Sequence, residues 1–179
     1  MEHIINKTEY TLLTCLGFCL RQSGEADFAP CLTAEEWEQV AALAERHEVL
    51  ALLENLWEPD KLSEERQMAI QWKTARTVHK GIQLQMLNGR LTTLFEKEGI
   101  LAVTLKGCAV ARYYPVPEFR KTTDLDLFVA SDEEAEKAVR ILCENGFRPS
   151  EEWHANHHDV LVSGKKEEVE LHTAWADAF

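Results

Sequence analysis

The chain has 179 residues, 45% apolar and 28% charged, which excludes the disordered and membrane classes and is enough for one sizeable core, or for a small helical unit joined to a compact α/β unit. Its 19 Lys and Arg stand against 31 Asp and Glu, a formal net charge of −12 that argues against a broad nucleic-acid-binding face. No apolar run approaches a bilayer span, and the amino terminus has neither the basic head nor the small-residue cleavage site of a signal peptide, so the sequence reads as cytoplasmic.

The first hundred residues read as helix. Tyr10, Leu13, Leu16, Phe18 and Leu20 suggest an amphipathic helix that Gly24 and Pro30 interrupt. Thr33 with Glu36 forms a capping box opening a second helix through Trp37, Val40, Leu43 and Ala44. A short helix through Leu50, Leu53 and Leu56 should stop before Pro59. From Ser63, a candidate N-cap, the helical pattern continues to Glu98, with bends expected at Gly81 and Gly89 and a stop at Gly99. Five cysteines, with no Cys-x-x-Cys pair, fit reduced thiols, and Cys15 and Cys19 fit small hydrophobes on one helix. Trp37, Trp57 and Trp72 read as packing residues. This region carries no chemical motif.

The texture changes at Gly99, giving an expected division into a helical region, 1–98, and an α/β core, 99–179, with no flexible linker between them. Residues 100–105 are apolar and β-branched, a buried strand running into Lys106-Gly107, and a short helix through Ala109, Val110 and Tyr113 follows. Next comes Arg120-Lys121-Thr122-Thr123-Asp124-Leu125-Asp126-Leu127-Phe128-Val129. In a strand this alternation sends Asp124, Asp126 and Phe128 to one face and Leu125, Leu127 and Val129 to the other. The two acidic residues then have Cα atoms about 7 Å apart, within reach of one shared divalent ion or of two ions about 4 Å apart. Ser131 with Glu134 opens a helix that stops at Asn145-Gly146. Residues 157–162 and 167–172 flank Ser163-Gly164-Lys165-Lys166 as an antiparallel hairpin, with Glu168, Glu170 and His172 on one face of its second strand. Between residues 100 and 130, Lys106, Arg112, Arg120 and Lys121 face Glu118, Asp124 and Asp126, a locally basic stretch in an acidic chain. There is no internal repeat and no low-complexity segment.

Over roughly residues 75–175 the chain resembles the bacterial group known only as uncharacterised nucleotidyltransferases, within the superfamily with the polymerase-β-like fold. The marks are Leu105-Lys106-Gly107, Arg120, Asp124-Leu125-Asp126, His157-His158 and Val169-Glu170-Leu171-His172. The resemblance implies an α+β protein: a helical region followed by a nucleotidyltransferase core with a mixed sheet and helices packed on one face. It further implies a metal-dependent enzyme that transfers NMP from an NTP, ATP or another, to a hydroxyl of an acceptor and releases pyrophosphate. Asp124, Asp126 and Glu170 match the catalytic carboxylates that hold Mg2+ or Mn2+, Glu170 binding the second ion or helping to deprotonate the hydroxyl. Lys106, Gly107, Cys108, Arg120 and His172 fall on the nucleotide side, Lys106 and Arg120 to neutralise phosphate and Gly107 to let backbone amides approach it. The chain departs from the superfamily at Gly107-Cys108, where a Gly-Ser or Gly-Gly turn is usual, and it ends at Phe179, soon after the third acid. Two readings of that end stand open, a shortened chain or a site lacking its usual second wall.

Other readings of the same residues compete. Asp124 and Asp126 alone fit the solvated face of an edge strand, and Gly107, Arg120 and Glu170 in the expected order favour the nucleotide site. A non-catalytic nucleotide-binding or interaction module on the same fold is the alternative that Cys108 supports. A zinc hydrolase built on His154, His157, His158 and His172 is weaker, because adjacent strand residues His157 and His158 point to opposite faces. Trp153 and Trp175 read as packing residues. The acceptor is open among small molecules, sugars, proteins and RNA, and the helical region is a candidate for acceptor recognition or self-association.

Overall fold

The structure, a computed structural model, describes residues 5–21, 31–150 and 158–174. It divides into two compact units, Met1–Gly81 with Tyr113–Lys121, and Ile82–Arg112 with Thr122–Phe179. His154, His157, Trp153 and Trp175 lie outside the described residues, as does the side chain of His158. Among the described residues no helix is long and apolar enough to cross a membrane.

In the first unit, α1 (Lys7–Leu20) starts at a capping box between Asn6 and Glu9, and α2 (Ala34–Arg46) at the expected one between Thr33 and Glu36. The short segment Leu50–Leu56 is 3₁₀ rather than α-helix. Leu12, Cys15, Trp37, Val40, Ala44, Leu53 and Ile70 form the core. Burial pushes the Cys15 thiol up to about 11, with Cys19 adding to the shift, which fits an inert reduced cysteine. Cys31 and Cys143, by contrast, are exposed. The long helix α3 (Glu64–Lys97) opens with Ser63 Oγ accepting the Arg66 N–H at 3.2 Å. Arg66 then ties α3 to α2, donating to Glu38 and Glu45 at 2.9 Å each.

The helix α3 continues through both Gly81 and Gly89. A Cβ at Gly81 would stand 3.4 Å from the Glu118 backbone, so glycine permits a close approach there.

The second unit takes up the helix at Ile82. Its further elements are β1 (Ala102–Thr104), α4 (Lys106–Ala111), β2 (Leu125–Val129), α5 (Asp132–Glu144), β3 (Phe147–Pro149), β4 (His158–Ser163) and β5 (Glu168–His172). The described strands form a sheet in the order β1-β2-β5-β4-β3, with β2 and β5 parallel and the other neighbours antiparallel. Leu125, Leu127, Val129, Leu161, Val169 and Leu171 on its apolar side share one core with Leu84, Leu87, Leu91 and Phe95 of α3 and Ala138 and Leu142 of α5. The result is an α+β architecture with a mixed sheet whose helices cover one face.

The strand expected to be buried over residues 100–105 is shorter, Ala102–Thr104, with Leu101 and Val103 exposed, and two further local details differ from expectation. At α5, Ser131 accepts the Glu134 N–H at 3.2 Å, but the Glu134 carboxylate takes the N–H of Ala130, so the reciprocal bond closes one residue earlier than a capping box requires. After the Gly146 stop, at φ +89, the chain forms the unforeseen strand β3, which adds to β4 at the sheet edge.

Candidate active site

Strand β2 sets the site by alternation. Leu125, Leu127 and Val129 have no exposure, which commits them to the core and turns Asp126 to the opposite face. Asp124 sits in the bend just before the strand and is half-buried. Because β5 runs parallel to β2, Asp126 stands opposite Glu170, and Phe128 opposite His172. Residues paired in this way project to the same side of the sheet, so Glu168, Glu170 and His172 come to the face that bears Asp126.

The side chains converge accordingly. Asp126, Glu170 and His172 each offer a ligand atom within 4.8 Å of the others, and Asp124, Glu168 and Glu170 do the same, with Glu170 common to both groups. The three carboxylates expected from sequence are thus spread over two overlapping groups, joined by His172 in one and Glu168 in the other. No sequence motif marks Glu168 as a ligand. The signal that finds it is the period-2 alternation of β5, which already placed it beside Glu170.

The other side of the site comes from the turn after β1. The Leu105 N–H donates to the Asp126 carbonyl at 2.9 Å, extending the β1–β2 ladder by one residue. Lys106 follows with φ +38, a left-handed conformation that costs a non-glycine residue about 1–2 kcal/mol. Its Nζ donates to Asp126 Oδ1 at 2.9 Å. His172 Nε2 lies 3.1 Å from the same oxygen and 3.4 Å from Glu170 Oε2. Burial raises the Asp126 carboxyl, which is only 4% exposed, but hydrogen bonds from His172 and Lys106 outweigh it and leave its pKa below the usual carboxylate value. The hydrogen bond to Asp126 raises Lys106 against a smaller effect of burial, and the charges of Glu170 and Asp124 add to the rise.

Gly107 is buried, and a Cβ there would lie 2.4 Å from Cγ2 of Thr122. A side chain at this position would clash with the Thr122 methyl, which is one physical reason for glycine here. Cys108 is half-buried and packs against the apolar core of the unit. Arg120 belongs to the first unit, where its Nη1 donates to the Lys121 carbonyl at 3.2 Å.

Four carboxylates and one imidazole make a mainly oxygen donor set, which suits Mg2+ or Mn2+ better than zinc. The residues present thus fit a divalent cation. Among the described residues, His172 is the imidazole in these donor groups. The family described as uncharacterised nucleotidyltransferase matches residues 33–178. No curated protein and no solved structure matches the chain.

Proposed function

The chain belongs to the uncharacterised nucleotidyltransferase family, and on that premise we propose a metal-dependent transfer of NMP from an NTP, ATP or another, to a hydroxyl of an acceptor, with release of pyrophosphate. The observation that carries this reading is the pairing of Asp126 opposite Glu170 across parallel strands, which gathers Asp124 and Glu168 beside them. These four carboxylates, with His172, would hold the ion or ions. A bound divalent cation supplies positive charge against the triphosphate and the departing pyrophosphate.

The remaining work falls to the chain's own groups. Lys106, more than half exposed at the edge of the cluster, supplies a positive charge for phosphate oxygens. The acceptor oxygen forms a bond to the α-phosphorus as the bond to pyrophosphate breaks, and its proton passes to a carboxylate, for which Glu170 is the candidate. Arg120 enters this reading through the sequence pattern alone. His172 fixes the orientation of Asp126 and Glu170 by touching both.

A second reading, nucleotide binding without transfer, draws on Cys108, which packs against the core where a phosphate-gripping hydroxyl is usual. Calorimetric titration of NTP with Mg2+ into wild type and Asp124→Ala/Asp126→Ala tests the site: binding by the wild type alone supports it, and equal weak signals from both overturn it. Pyrophosphate release across a panel of hydroxyl acceptors then separates transfer from binding.

A further inference from the structure

We infer that Lys106 stands in for a divalent cation in the ion-free site and gives up Asp126 when an ion binds, which frees its ammonium for nucleotide phosphate. This rests on the reading of the carboxylates as an ion site.

The cluster gathers carboxylates closely: Asp126 is 4% exposed, and Glu170, with Asp124 and Glu168 around it, lies within a few ångströms. A buried carboxylate left without a counter-charge would be strongly disfavoured. Lys106 provides that charge at 2.9 Å, and the carboxylates that act on it are Asp126, Glu170 and Asp124, the same groups that would hold the ion.

The pair is built to part. The Asp126 side chain is 4% exposed and fixed, whereas that of Lys106 is 63% exposed. Arg66 provides the contrast: 25% exposed and held by Glu38 and Glu45 together, it is a fixed structural cation. Asp126 Oδ1 lies within hydrogen-bonding distance of both Lys106 Nζ and His172 Nε2, so a cation reaching that oxygen competes with these groups for it. His172 is 13% exposed and also meets Glu170, so Lys106 is the donor with somewhere to go. An ammonium and a divalent ion on the same carboxylates also repel each other. The Lys106 backbone would stay in place, since Leu105 is bonded to the Asp126 carbonyl; the side chain alone would move.

The test is Mn2+ binding without nucleotide, by calorimetry, with thermal melts in the absence and presence of saturating Mn2+. Lys106→Met and Lys106→Gln remove the charge, and Lys165→Met, in the exposed hairpin turn, controls for net charge. Both Lys106 variants should bind Mn2+ about fivefold or more tightly than the wild type and melt lower than it without the ion, a deficit that disappears when Mn2+ saturates the site. Lys165→Met should match the wild type. Mn2+ binding by the wild type with unchanged or weaker binding by both Lys106 variants overturns the inference and leaves the site reading intact, as does a melting deficit that persists in Mn2+. Absence of Mn2+ binding in the wild type and both variants overturns the two together.

Discussion

Replacing Gly107 by Ala tests why a glycine occupies the turn before α4. The new Cβ would lie 2.4 Å from Thr122 Cγ2, well inside contact distance, with Oγ1 at 3.5 Å and Cβ at 3.6 Å in ordinary contact. Threonine is branched at Cβ, so its χ1 has few alternatives and moving the methyl away requires a change of rotamer. Overpacking of this kind costs about 1–3 kcal/mol, and the better helix propensity of Ala returns up to about 1 kcal/mol. The net expectation is a loss of about 1–2 kcal/mol, or a fall in Tm of about 2–8 °C for a chain of this size. Thr122→Ser removes the offending methyl and keeps the hydroxyl, at a cost of about 0.5 kcal/mol for a partly buried group. The double variant should recover most of the loss, giving a coupling of about 1–2 kcal/mol in a double-mutant cycle read by thermal and urea unfolding. A Gly107→Ala protein as stable as the wild type, or a coupling below about 0.3 kcal/mol, would refute the reasoning. Nucleotide titration of the double variant adds a second readout: binding retained assigns the glycine to packing, and binding lost in a stable protein assigns it to phosphate approach.

Leu127→Ala should cost about 2–5 kcal/mol, since Leu127 is fully buried in the core that the sheet shares with α3 and α5, and urea unfolding reads it directly. Thr33→Ala removes the side-chain half of the α2 capping box and should cost about 1 kcal/mol by the same measurement. The Lys106–Asp126 pair gives a pH signature with a definite sign. Asp126 has a lowered folded pKa, so its contribution is present above the unfolded value of about 3.9 and is lost as pH falls through the folded one. Lys106 has a raised folded pKa, so its contribution is complete below about 10.4 and is lost as pH rises through the folded one. The stability deficit of Lys106→Met should therefore be widest between these limits and narrow beyond both; a deficit constant from pH 3 to 11 would contradict the pairing.

What could be read from the sequence was what neighbouring residues determine. The Thr33 and Glu36 box, the Ser63 start, the Asn145-Gly146 stop and the alternation of Asp126 with three buried apolar residues all appear in the structure, because each depends on a few consecutive side chains. The gathering of Asp126 with Glu170 followed from that alternation once the two strands paired, but their parallel register is a long-range choice that no local pattern encodes. The bounds of strand β3 are not legible locally, because three residues ending in Pro149 show no alternation, and proline marks an edge. The close approaches at Gly81 and Gly107 are not legible locally either, because Glu118 and Thr122 come from other segments of the chain. The Lys106 ion pair was equally hidden, since it depends on the turn after β1 folding back over β2.

The strand order has a consequence for how the protein is made. β5, the last described strand to leave the ribosome, occupies the centre of the sheet between β2 and β4. Until residues 168–172 emerge, β2 presents an open edge beside Leu125, Leu127 and Val129, and Asp126 has neither Glu170 nor His172. The β4–β5 hairpin is local and can form early, so assembly would proceed by inserting a ready-made hairpin against β2. Nascent chains stalled before this point are the species expected to aggregate through that edge and to need protection during synthesis.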